Sequence, residues 1–234
     1  MKQPLLEIVQ DILDVLEFDP VNDLADTVES MQVAKELQTA YFFLMTQRDW
    51  PHLCMLGSLD GVGDLNNPTY MRIPSNVSKV KWVRYNNKEC FYKEPEEFQD
   101  MLNQRLLNAH PDVNTKGFLT KQDPSYWTSY DDTIMVFDAY DSLISNTLVQ
   151  SKSVAYCVQI PTFELENTHY ANMPARMYPG WIADAKSSCF INLKQTANAK
   201  EENRSKLGRT IMQSESRRNE KGNHRFNRKV NYGR

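Results

Sequence analysis

The spacing of apolar residues changes twice along this chain, and each change narrows the fold. Leu5, Val9, Ile12 and Leu16 recur at intervals of 4, 3 and 4, with Leu6, Leu13 and Val15 widening the face. That is the period of an amphipathic helix, predicted from about residue 4, where Pro4 suits a first turn, to residue 17. Phe18-Asp19-Pro20 stops it. A second helix is predicted over 27–49, with Asp26 as N-cap and Glu29 as its capping-box partner. Its stripe is Met31, Ala34, Leu37, Tyr41, Leu44 and Met45. At the helical rise such a rod is about 34 Å long and should fold back on the first helix as a hairpin.

From residue 53 the period falls to two. Residues 53–59 and 70–73 read as short strands around a polar loop with Gly61, Gly63, Asn66, Asn67 and Pro68. Residues 77–85 alternate as a half-buried strand, and Asn86-Asn87 turns them into 89–93 as a hairpin. A helix returns over 95–108, with Phe98, Met101, Leu102 and Leu106 on one face. Residues 125–130 and 133–139 flank Asp131-Asp132 as a second hairpin, and 154–160 form a further strand.

The last third is helical again. Ile182, Ala185, Cys189 and Leu193 mark a helix over 179–197. Asn198 and Glu201 then cap a charged helix to about residue 219, whose apolar side chains are Leu207, Ile211 and Met212. A helix so sparsely apolar is expected to project or to pack against other chains. Together these elements predict a mainly α (α+β) fold. Its body, 1–197, is a helical bundle with β-hairpins inserted at about 53–93 and 125–160. A projecting helix and basic arm follow over 198–234.

Several functions are disfavoured by what the chain carries. Its longest apolar run, 40–45, is six residues, against roughly 18–20 for a membrane span. Lys2 is followed by a stretch broken by Glu7, Gln10 and Asp11, which is no signal-peptide core, so a soluble, unexported chain is expected. Cys54, Cys90, Cys157 and Cys189 form no Cys-x-x-Cys pair, and reduced, mostly buried thiols are expected. The eight glycines make no phosphate-cradling loop. Asp131, Asp132, Asp138 and Asp141 lack calcium-loop spacing and read better as turn aspartates. Glu166 and His169 match half of a di-iron motif in a Pro- and Asn-rich stretch that is hardly a helix. His52 and His110 stand alone in turn contexts. No catalytic, metal-binding or cofactor-binding residue is assigned; no cofactor and no enzymatic activity are expected.

Charge is strongly polarised. Residues 200–234 hold 11 Lys/Arg and 4 Asp/Glu, which leaves 16 basic and 26 acidic residues in 1–199. Arg217, Arg218, Lys221, Arg225, Arg228 and Lys229 make a basic arm interleaved with Phe226 and Tyr232. Such an arm can bind nucleic acid, an acidic protein surface or the acidic part of a neighbouring copy, or merely aid solubility as a solvated tail, and charge does not choose among these.

The order of features resembles the head-to-tail adaptor proteins of short-tailed, podovirus-like phages, also called tail tubular protein A-like or head-completion proteins. The resemblance rests on residues 5–13 leading into 26–34, and on Arg48-Asp49-Trp50-Pro51-His52-Leu53 closing the second helix. It continues in Arg72-Ile73-Pro74-Ser75-Asn76-Val77 with Lys81-Trp82-Val83-Arg84-Tyr85, and in Phe137-Asp138-Ala139-Tyr140-Asp141-Ser142. It ends in 185–195 and the charged helix from Asn198 to Asn219. It implies a virion neck protein, assembled in the host cytoplasm as a homo-oligomer, a dodecameric ring. That ring docks under the portal protein, extends the channel for packaged DNA and offers a platform to the tail nozzle and fibres. No membrane is involved, and an acidic body lets DNA slide without sticking.

On this view Arg217, Arg218, Lys221, Arg225, Arg228 and Lys229 dock on the portal, with Leu207, Ile211 and Met212 as apolar anchors. The loops at Asn66-Asn67 and Asp131-Asp132 are assigned to the next tail component. Two other functions compete. A nucleic-acid-binding protein would use the basic arm, although the acidic body offers no second basic surface. A virion-associated cell-wall hydrolase would need an acid/base pair that the sequence does not display.

Overall fold

The computed structural model describes residues 2–108, 111–131 and 133–224, with side chains of the last helix described to Ser214. The chain divides into two compact units: residues 1–52 with 161–234, and residues 53–160.

The first unit is helical. α1 (Leu5–Val15) buries Leu5, Ile8, Val9, Ile12 and Leu13, the stripe visible in its sequence. It ends where Glu17 takes a left-handed φ of 58°. That turn lets the Phe18 amide donate to the Leu13 carbonyl at 3.0 Å, a closure usually given to glycine. α2 (Val28–Thr46) packs on α1 as the predicted hairpin. Its N-cap differs from the predicted Asp26, because that carboxylate already accepts the amides of Asn22 and Asp23, each at 2.8 Å. Thr27 caps instead: its hydroxyl accepts the Ser30 amide at 3.1 Å, and the Thr27 amide donates back to the Ser30 hydroxyl at 3.3 Å.

α2 buries Leu37 and Tyr41 against α4 (Tyr178–Lys194). The Trp181 indole donates to the Leu37 carbonyl at 2.9 Å, and its ring stands edge-on to Tyr41, Phe163 and Tyr178. Each such buried ring contributes roughly 2–3 kcal/mol from burial. α5 (Ala199–His224) opens on Asn198, whose side-chain oxygen accepts the amides of Lys200 and Glu201.

The second unit is a sheet with one helix. Its strands are β1 (Cys54–Gly57), β2 (Asp60–Gly61), β3 (Tyr70–Arg72), β4 (Val77–Tyr85), β5 (Lys88–Tyr92), β6 (Tyr126–Ser129), β7 (Ile134–Phe137) and β8 (Ser153–Gln159). They form one sheet in the order β1-β8-β4-β5-β6-β7-β3-β2. Left-handed Asn86 and Asn87 (φ 49° and 64°) make the predicted β4–β5 turn. All pairings are antiparallel except β5 with β6. A parallel pair needs a long crossover, which α3 (Pro95–Leu107) and the segment after it supply. Phe98 and Leu102 of α3 cover the outer face with Phe118 and Val136. Leu59, Met71, Val83, Tyr85, Cys90, Met135 and Phe137 fill the inner face.

The strand order forces the sheet to curl. Its two edges, β1 and β2, are consecutive in the chain and separated only by Ser58 and Leu59. Three steps of extended chain reach about 11 Å at most, so the edges are brought together. Ser153, opening β8, holds the joint by accepting the buried Leu59 amide at 3.0 Å.

The predicted mainly α bundle with inserted hairpins is therefore corrected. Both hairpins exist, but they belong to one eight-stranded mixed, curled sheet in an α+β protein. Turn residues announce β4–β5 and β6–β7 locally. The β1–β8 and parallel β5–β6 pairs join distant segments and leave no mark on local periodicity. Among the described residues, no helix is long and apolar enough to cross a membrane.

Candidate functional site

α4 and α5 cross at a pair of glycines. A Cβ on Gly208 would lie 2.6 Å from the Gly180 Cα, and one on Gly180 would lie 2.7 Å from the Met212 Cε. Neither position admits a side chain without a shift, so these two glycines set how closely the helices approach. One flank of the crossing is polar. Asp184 accepts the Ser205 hydroxyl at 2.8 Å and the Arg209 guanidinium at 2.5 Å, and Arg209 also stands 5.1 Å over the Phe43 ring.

Beside the crossing lies an apolar groove of about 670 Å³, lined by Tyr178, Ile182, Ala183, Leu207 and Ile211 among others. Lys186 and Arg204 border it, Arg204 paired with Glu201 at 2.7 Å. Leu207 is 61% exposed and Ile211 49%, on one helix face at i and i+4. Large aliphatic side chains held open on a fixed helix beside a groove are suited to receiving a partner.

The predicted docking residues thus separate. Leu207 and Ile211 line the groove, as an anchor should. Met212 is buried at 4% exposure against Gly180, so it is an internal packing residue and offers a partner nothing. Arg217, Arg218 and Lys221 fall on α5, but their side chains lie outside the described part. Arg225, Arg228 and Lys229 lie outside the described residues, as do His110 and Asp132. The pair Gly180 and Gly208 was missed, although two glycines within helical stretches of a glycine-poor chain are a signal of close packing.

The two loops assigned to a tail component lie at opposite ends of the β3–β7 ladder. Tyr70 pairs with Val136 and Arg72 with Ile134. The Asn66-Asn67 loop enters β3 at one end of that ladder, and the Asp131 loop enters β7 at the other. Each is tied down internally. Lys116 donates to the Asn66 carbonyl at 2.8 Å and to the Asn67 side chain at 3.0 Å. Asp131 accepts the Ile134 and Thr133 amides at 2.7 and 3.0 Å, which, with the Thr133 hydroxyl, lowers its pKa below the usual carboxylate value. It is a turn aspartate.

The remaining acids also have structural duties. Asp141 accepts the Leu143 amide at 3.0 Å. Asp138 is fully buried, accepting the Ser125 and Tyr126 amides, each at 2.8 Å, and Arg105 at 2.7 Å. Glu166 and His169 meet through backbone, the His169 amide donating to the Glu166 carbonyl at 3.0 Å. Burial lowers the pKa of His169, as it does that of His52. Burial pushes the Cys90 and Cys189 thiols up to about 12, the opposite of what a nucleophilic thiol needs. Among the described residues, no group of three or more His, Cys, Asp or Glu could hold a metal ion. No family model matches the chain, and no curated protein is significantly similar to it.

Proposed function

We propose that the protein is a structural connector, a head-to-tail adaptor subunit of a short-tailed phage. It would act by assembly, docking under the portal protein as part of a ring in the virion neck and carrying the platform for the nozzle and fibres. The observation that supports this most directly is the α4–α5 groove. It presents Leu207 and Ile211 on the helix that leads into the basic end of the chain. Apolar anchors give such a contact its affinity, and a basic segment beside them steers it to an acidic partner. The acidic excess of residues 1–199 suits a wall past which DNA moves.

The test is co-sedimentation with the portal protein of the same genome. Three chains are compared: full length, a chain ending at Asn219, and Leu207→Asp/Ile211→Asp. Ring formation on the portal by the full chain, lost in both variants, is the expected result. No sedimenting complex with the full chain sinks the adaptor reading. Portal binding that survives the double substitution removes the groove from it.

A further inference from the structure

Residues 77–93 carry Lys79, Lys81, Arg84, Lys88 and Lys93 against the single acid Glu89, within a body where acids outnumber cations 26 to 16. Nearly a third of the cations in residues 1–199 therefore fall on one hairpin and the residue that follows it. The expectation that the body has no second basic surface is corrected.

The fold puts aromatic rings on the same surface. Val83 and Cys90 are register partners and both face the inner core. Strand alternation then turns Trp82, Arg84 and Phe91 outward. Tyr156 is the β8 partner of Trp82, and the two rings stack at 5.7 Å with 25° between their planes. Phe91 pairs with Tyr126 of β6, their rings 6.5 Å apart. Tyr156, Trp82, Phe91 and Tyr126 thus form a row across the neighbouring strands β8-β4-β5-β6, with Tyr126 closing its end against the α3 cluster of Phe98 and Leu102. Cations stand among them: Arg84 is 5.2 Å from the Trp82 ring, Lys81 5.7 Å from Tyr156 and Lys93 5.3 Å from Tyr126. Lys93 also meets Glu97 at 3.6 Å. Phe91 is 57% exposed, and Leu56 and Val154 extend the apolar surface.

We propose that the part of this outer sheet face that α3 leaves open, on β8, β4 and β5, binds single-stranded DNA. Every base has a face that can stack on a ring, and the interleaved ammonium and guanidinium groups neutralise the phosphates that link the bases. Along the row the ring centroids stand 5.7 Å apart at Tyr156–Trp82 and 6.5 Å apart at Phe91–Tyr126, and unstacked bases can lie against such rings. A duplex keeps its bases stacked on each other and cannot use such a row. The rings and the three cations beside them, Lys81, Arg84 and Lys93, give bases and phosphates their partners, and none of these contacts needs a 2′-hydroxyl, so DNA satisfies them in full. None of these residues belongs to the α4–α5 groove, so the proposal stands apart from the adaptor reading.

Tryptophan emission offers a local probe. Trp50, Trp127 and Trp181 are buried at 3%, 8% and 1% exposure, and Trp82 alone reaches the surface. The full chain is titrated with fluorescein-labelled oligothymidine about 20 nucleotides long at about 0.1 M salt, following anisotropy and tryptophan quenching. Saturable binding with quenching is expected. Trp82→Phe should lose most of the quenching and, with a smaller ring to stack on, bind more weakly, the anisotropy change still reporting the complex. Phe91→Ala, at an exposed position, should weaken binding at least about fivefold, and Lys81→Ser/Arg84→Ser should reduce the salt dependence as well. Binding unchanged in Phe91→Ala and in the double variant would assign the DNA to the basic C-terminal stretch and overturn the proposal. No binding, or tighter binding of a duplex or of oligouridine, overturns it equally.

Discussion

Asp138 shows how much a single carboxylate can organise. It sits at zero exposure at the end of β7, holds two amides at the start of β6 and takes Arg105 from α3. In the sequence it was one of four acids near a turn, and its partner lay 33 positions away, where no local pattern points. Removing the arginine leaves a buried charge with amide donors only. Arg105→Ala is therefore expected to cost about 3–5 kcal/mol in urea unfolding, with Arg105→Lys recovering part of it. A loss under about 1 kcal/mol, typical of an exposed pair, would refute the assignment. His169 makes a second prediction at this scale. Burial holds its pKa down, against the opposing pull of Glu164 and Glu166, while its ring packs 4.6 Å from Phe163. An unfolded imidazole takes up its proton near pH 6.5, and the folded one only at lower pH. Its contribution is intact above about pH 6.5 and is lost as pH falls through the folded value. The unfolding free energy should fall as the pH drops below about 6.5, and fall less in His169→Phe. Parallel curves for the two proteins would exclude His169 as a source of the acid sensitivity.

Between elements, the limiting contact is the glycine pair of α4 and α5. Gly208→Ala inserts a methyl 2.6 Å from the backbone of Gly180, where no flexible side chain can yield. The helices must separate, and an overpacked crossing costs about 1–3 kcal/mol. Amide exchange should speed up along α5 while α1 and α2 keep their protection, and unchanged α5 protection would place the crossing elsewhere. Legibility at this scale follows the range of the signal. Helix faces such as Leu5, Val9 and Ile12 repeat within one element, and the Asn86-Asn87 turn is read in two residues. The capping of α2 was misread by one position. Asp26 is the stronger cap by residue type, and only the fold shows its carboxylate already engaged by Asn22 and Asp23. The alternation of 77–85 marked a strand, but its outward face became a cation-and-ring surface only once β8, β5 and β6 lay beside it.

For the molecule as a whole, the decisive pairing is the one between the first and last strands of residues 53–160. Cys54 lies opposite Val158 in an antiparallel register. The chain therefore enters and leaves this unit within about 5.5 Å, the geometry of a domain inserted into another. The unit also has its own inner core, from Leu59 to Cys157, and its own helix-covered outer core around Phe98. A sheet whose edges are joined through Ser58 and Leu59 needs no outside strand to complete it. Residues 53–160 expressed alone should consequently fold, giving a strand-rich circular dichroism spectrum and a single cooperative unfolding transition. Ser153→Ala in that fragment removes the acceptor of the buried Leu59 amide and should lower its stability by about 1–3 kcal/mol. A fragment that stays unfolded would show that the curl depends on the helical unit, and the two halves would then have to be treated as one cooperative fold.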